Sequence, residues 1–153
     1  MSTKGVIISR GTLGADVSAK TDNISGILAN GPAVVADAGN GIIGIAVGEA
    51  VKITGIADAK AHGIDADYDE DNDVRVFRHI DEFYRMAGEG TVLWLMLYTG
   101  VPTDALGDIY AKKLIAAAAG EIRQLAIAYN PAALYEATFV DGLEEDVYDA
   151  IPA

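Results

Sequence analysis

The apolar positions between Val74 and Tyr98 change period part-way along, and that change predicts two elements. Phe77, Ile80, Phe83, Tyr84 and Ala87 recur at spacings of three and four, while Arg78, Asp81, Glu82 and Arg85 fall between them, the pattern of a helix with one covered face. Gly88-Glu89-Gly90 interrupts this pattern. Val92 to Tyr98 then carries neither charge nor alternation, as expected of a strand covered on both faces. A helix feeding a buried strand predicts an α/β fold, with a mixed or mainly parallel sheet flanked by helices.

The segments on either side extend the same reading. Residues 1 to about 40 are rich in Gly, Ser, Asn and Ala, with short apolar pieces at Val6 to Ile8, Ile24 to Leu28 and Ala33 to Val35, which predict short strands and extended segments. Residues 1–20 read as an extended N-terminal arm and residues 21–153 as the α/β domain. Ala50 to Thr54 is the strand expected within the second apolar stretch, Ile42 to Ile53. Ala57 to His62 predicts a short helix ended by Gly63, with His62 capping its C-terminus. Asp65 to Asp73 reads as an acidic loop leading into the aromatic helix.

After the strand at Val92 to Tyr98, Pro102 and Thr103 start a helix, with Thr103 as N-cap and Asp104 in the first turn. Leu106, Ile109, Tyr110, Leu114 and Ala117 mark its apolar side and Gly120 its end. A strand from Leu125 to Tyr129, closed by Asn130-Pro131, completes a βαβ unit whose crossover is expected to be right-handed. Asp141 and Glu144 form a capping-box pattern for a helix at 142–150, which Ile151-Pro152 closes. A third parallel strand is expected next, so the domain reads as truncated at its C-terminal end.

Composition narrows the function classes. A chain of 153 residues that is 51% hydrophobic suffices for one continuous core. It has no run of about 18 apolar residues and no signal-peptide core, so a soluble intracellular protein is expected. The absence of cysteine removes disulfides, thiolate metal sites and cysteine nucleophiles. The net charge of −12 is uneven: residues 1–64 hold five basic and five acidic side chains, residues 65–153 six and eighteen. Such a field argues against nucleic-acid or anionic-membrane partners, which need clustered Lys and Arg.

Three motifs tempt a chemical reading. Gly39-Asn40-Gly41-Ile42-Ile43-Gly44 matches the G-x-G-x-x-G pattern of dinucleotide loops, with Ala33 to Val35 as the preceding strand and Asp58 as a loose ribose partner. The β-branched stretch after it makes a poor helix, so a loop between strands is the favoured reading. Asp65, Asp67, Asp69, Asp71 and Asp73 alternate, but no register places Gly at position six and Glu at position twelve of a calcium loop. A solvated acidic loop that places carboxylates near the next helix's N-terminus is the plainer reading. His62 and His79 lack a Ser or acidic neighbour at a relay spacing, and Trp94 and Met96 read as core. Tyr129, Asn130 and Pro131 fall at the carboxyl end of a parallel strand, where open α/β sheets hold their ligands. No catalytic constellation, cofactor set or metal set is assigned.

Several segments in one order resemble the sheath subunit of contractile phage tails and related injection machines. They are Val47-Gly48-Glu49-Ala50-Val51-Lys52-Ile53-Thr54, the short helix Ala57 to Gly63, the helix with Phe83-Tyr84, and the turn Gly88-Glu89-Gly90-Thr91 into Val92 to Met96. Gly120 to Ile127 followed by Asn130-Pro131 is similar to the sheath branch in prophages of gut bacteria. The resemblance covers residues 1–151 and implies a non-enzymatic structural protein that forms rings around a tail tube and contracts by subunit rearrangement. It implies other copies of the chain and a tail tube protein as partners, and a place in the virion tail sheath after assembly in the bacterial cytoplasm. It also implies that the N-terminal arm, through Val6, Ile7 and Ile8, adds a strand to a neighbouring subunit. The alternative is a small α/β domain that binds a nucleotide or other anion through Gly39 to Gly44.

Overall fold

Strands β1 (Ser25–Asn30), β2 (Ala50–Ile53), β3 (Leu93–Tyr98) and β4 (Gln124–Ala128) form one sheet in the order β2-β3-β1-β4. The structure, a computed structural model, describes residues 24–106, 109–131, 139–140 and 143–144. Strand β1 runs parallel to both β3 and β4, and β2 runs antiparallel to β3. The sheet is therefore mixed and mostly parallel, and helices flank it, as the sequence pattern predicts. The N-terminal arm, with Val6, Ile7 and Ile8, lies outside the described residues.

Alternation along β3 divides the core. Leu93, Leu95 and Leu97 join Ile27 and Ala29 of β1 and Val51 and Ile53 of β2 on one face. That face is covered by α1 (Ile56–Ala61), α2 (Ala66–Asn72) and α3 (Val76–Ala87), through Ala59, Tyr68, Val76, Ile80 and Tyr84. Met96, Tyr98 and Leu28 point the other way, against α4 (Pro102–Leu106) and α5 (Ala111–Ala117), which supply Ala105, Ala111 and Leu114. Each face needs its own layer because β3 is apolar at every position, and full burial of each such side chain is worth about 1.5–3 kcal/mol.

The position of β1 departs from the simple βαβ expectation. Strands β3 and β4 belong to one sheet and run parallel to the same neighbour, but β1 stands between them. The small residues of β1 make this insertion feasible. A Cβ at Gly26 would lie 2.9 Å from Ile122 Cδ1 and 3.0 Å from Leu125 Cδ1, so glycine leaves room for the side chain of Leu125 in β4 and that of Ile122 just before it to close over β1.

The acidic stretch expected to be a loop is largely the helix α2. Asp65 caps it by accepting the N–H of Tyr68 at 2.9 Å, acidic residues fill the first turn, and Tyr68 anchors the inner side. The helix ends where Asp73 turns left-handed at φ 50°. From within α2 the Asp69 carboxylate reaches the next helix, accepting the N–H groups of Phe77 and Arg78 at 2.9 Å each. Carboxylates at the following helix's N-terminus were thus legible, although the local structure carrying them was not. Asp69→Ala should cost about 1–2 kcal/mol by orphaning both donors, and Asp69→Asn less; urea midpoints measure the difference.

Other boundaries also shift. The helix predicted from Thr103 to Gly120 is two short helices, with Ile109 and Tyr110 in a turn that leads into the second. Pro102, not Thr103, opens α4, and the Asp104 carboxylate accepts the N–H of Val101 at 3.0 Å. The buried positions of α5 are Ala111 and Leu114, followed by Ala118, whereas Ile109 is 66% exposed. Leu143–Glu144, placed at the start of the predicted terminal helix, is instead strand β6, paired antiparallel with β5 (Phe139–Val140). Residues 145–150 of that predicted helix lie outside the described residues.

The buried phenol of Tyr68 gives the fold an alkaline signature. Its hydroxyl donates to the Pro32 carbonyl at 2.6 Å, and burial, assisted by Asp69, pushes its pKa from 10.0 up to about 12. A folded-state value above the unfolded one stabilises fully below pH 10, and that contribution is lost as pH rises through 12. The melting-temperature advantage of the native protein over Tyr68→Phe should therefore shrink between pH 10 and 12. An advantage that stays constant across that window would contradict this account.

Candidate functional site

Thr54, the short helix after it, the Phe83-Tyr84 pair and the Gly88 to Thr91 turn meet at one junction. Thr54, at the end of β2, gives its N–H and its hydroxyl to Asp58 Oδ2 at 2.7 Å each, which holds the Asp58 carboxyl below its usual range. The carbonyl of Thr54 accepts the N–H of Gly90 at 2.7 Å. Glu89, in the same glycine-rich turn, accepts the N–H of Ile56 at 3.3 Å and so caps α1 from across the chain. A Cβ at Gly55 would run into that carboxylate. Tyr84 packs edge-on against Phe83 with ring centroids 5.1 Å apart, and burial, then Asp58 and Glu89, raise its phenol pKa. This junction locks β2, α1, α3 and β3 into one body. Its carboxylates, the Thr54 hydroxyl and its backbone N–H groups serve one another, which is a structural role, while the buried Tyr84 hydroxyl has no hydrogen-bond partner.

The Gly39 to Gly44 segment is the turn of a small hairpin. Val34 bridges Ile45 and Asp37 bridges Ile42, both antiparallel. The Asp37 carboxylate accepts the N–H of Gly39 at 2.9 Å and the side-chain amide of Asn40 at 2.7 Å. That geometry is strand–turn–strand, where a dinucleotide loop needs strand–turn–helix. His62 ties the hairpin down, its Nδ1 lying 2.7 Å from the Gly44 carbonyl oxygen, and Gly63 takes the left-handed conformation the sequence requires, at φ 79°.

The surface on the far side of the sheet is different, because it is unfinished. Among the described residues no strand pairs with the outer edge of β4, so alternate backbone N–H and C=O groups of Gln124–Ala128 face outward. Beside that edge a groove of about 640 Å³ separates β1 and β4 from α3. Ile27, Phe83, Met86 and Ala126 give it an apolar lining, and the polar pair on its floor is Gln124 Nε2 to Ser25 Oγ at 2.7 Å. Met86 is 77% exposed there. An open parallel edge with apolar surface beside it can accept an added strand from another segment.

The sequence pattern predicts β4 and an edge left unpaired where a further parallel strand would follow, but not that α3 leaves the sheet uncovered next to it. No group of three or more metal-ligating side chains gathers among the described residues, and no helix there is long and apolar enough to cross a membrane. No protein-family model, curated protein or solved structure matches this chain.

Proposed function

We propose that the chain is a structural subunit of a contractile tail sheath or a related injection machine, joined to other copies of itself by strand addition. The observation that carries this reading is the open outer edge of β4 with its apolar groove. The resemblance of the segments at the Thr54–Glu89 junction supplies the class of assembly. In this reading Val6, Ile7 and Ile8 of one copy lie beside β4 of the next, and main-chain hydrogen bonds keep subunits linked while the rigid bodies exchange contacts around a tail tube. The chain does no covalent chemistry in this role, and no nucleic acid or membrane takes part.

Electron microscopy of the full gene product, alone and with tail tubes, tests it. Rings or tubular sheaths are expected, and a product that forms neither on its own nor on a tube would refute the reading.

A further inference from the structure

A second cavity, of about 210 Å³, opens where β1 and β4 end side by side. Asn30 closes β1, Tyr129-Asn130-Pro131 follow β4, and Arg75 and His79 come from the start of α3. Residues that the sequence presents separately thus meet at one crevice. Asn130 is held there by donating from Nδ2 to the Asp73 carbonyl at 2.7 Å, and Asn30 by donating to the Gly100 carbonyl at 3.0 Å.

We infer that this crevice binds a small oxyanion, a phosphate or carboxylate group, with Arg75 as its charge partner and His79 as a second donor. The end of α3 is not the source of the attraction, because its Phe77 and Arg78 N–H groups are already taken by Asp69. Arg75 is the cationic group lining the cavity, and it has no ion pair among the described residues, where the pair formed is Arg85 with Glu82. A guanidinium offers a planar pair of donors that matches an oxyanion. His79 is held below its ordinary pKa by burial, with Asp69 opposing and Arg78 and Arg75 reinforcing that shift. Its ring is therefore neutral at pH 7 and offers one N–H. The protein's charge of −12 repels anions at long range, so binding is expected to be weak and sensitive to salt. This site does not rest on the assembly reading: Arg75, Asn30 and Asn130 line the crevice and not the groove beside β4, and His79 is the residue of the site that lines both.

The test is an NMR titration of the folded chain with inorganic phosphate and, separately, with acetate, following the His79 ring and the Arg75 Nε–H. Saturable shifts of both groups are expected, and Arg75→Gln should weaken binding by about tenfold or more. Arg78→Gln, which removes a charge outside the cavity that acts on His79 only at a distance, should weaken it far less. Saturation by phosphate alone assigns phosphate groups as the ligand class, and saturation by both assigns carboxylates as well. Shifts that rise linearly without saturating, equal binding by Arg75→Gln, or equal weakening by Arg78→Gln would overturn the site. If Arg75→Gln does not fold, Arg75→Lys takes its place, with weaker binding expected and undiminished affinity overturning the proposal.

Discussion

Leu95→Ala should destabilise the protein by about 3–5 kcal/mol, enough to consume much of the stability of an ordinary domain. Leu95 is at the middle of β3 and has no solvent exposure. It is paired on one side with Ile27 of β1 and on the other with Val51 of β2. Its side chain lies in the core shared with Ile80 and Tyr84 of α3, so deletion of its methyl groups leaves a cavity that three elements would have to close together. Surrounding strands cannot collapse into it without giving up their register. Met96→Ala probes the other face by the same logic, against Leu114 and Ala105. Chemical unfolding monitored by circular dichroism measures both, and a loss below about 1 kcal/mol for Leu95→Ala would mean that the core is not packed as described.

The second large effect is expected at Gly44. Its φ is +80°, and a Cβ there would sit 2.7 Å from the Ala36 nitrogen and 2.8 Å from the Val34 carbonyl oxygen. Both are backbone atoms of the facing hairpin strand and cannot rotate away. Gly44→Val combines a left-handed strain on a β-branched residue with that collision, and should cost about 3 kcal/mol or more. Gly41 is the control. It has φ +72° in the same turn but nothing within 4 Å of its Cβ position, so Gly41→Ala should cost only about 1–2 kcal/mol. Equal losses at the two positions would show that the hairpin does not hold the pairing of Val34 with Ile45. The His62 contact to the Gly44 carbonyl implies that hairpin damage also loosens the end of α1.

Why these elements were legible, and others were not, follows from the range of the interactions that form them. Helix α3 and strand β3 were readable because their apolar periods are local and long, and Gly63 because a left-handed residue after a helix is a local demand. Helix α2 was hidden because aspartates usually favour loops, and its local Asp65 cap is joined by contacts distant in sequence, Tyr68 reaching Pro32 and Asp69 reaching Phe77 and Arg78. The insertion of β1 between β3 and β4 depends on pairings across about 70 and 100 residues of chain, which no local pattern encodes. The same holds for both candidate sites. His79, Tyr129 and Asn130 were noticed one by one, but their meeting with Arg75 and Asn30 is set by that sheet order. The groove beside β4 was invisible because apolar Leu125 to Ala128 reads alike as a buried strand or a half-covered edge.

The central claim is that copies of this chain join through the edge of β4, and sedimentation velocity on native protein and Ala126→Lys measures it most directly. Ala126 is exposed on the groove side of that edge, and a lysine there opposes an incoming apolar strand while leaving the pairing with β1 in place. The native chain should associate with rising concentration, and Ala126→Lys, equally folded, should remain monomeric over the same range. A native chain that stays monomeric throughout, or a lysine variant that associates just as well, would contradict the claim.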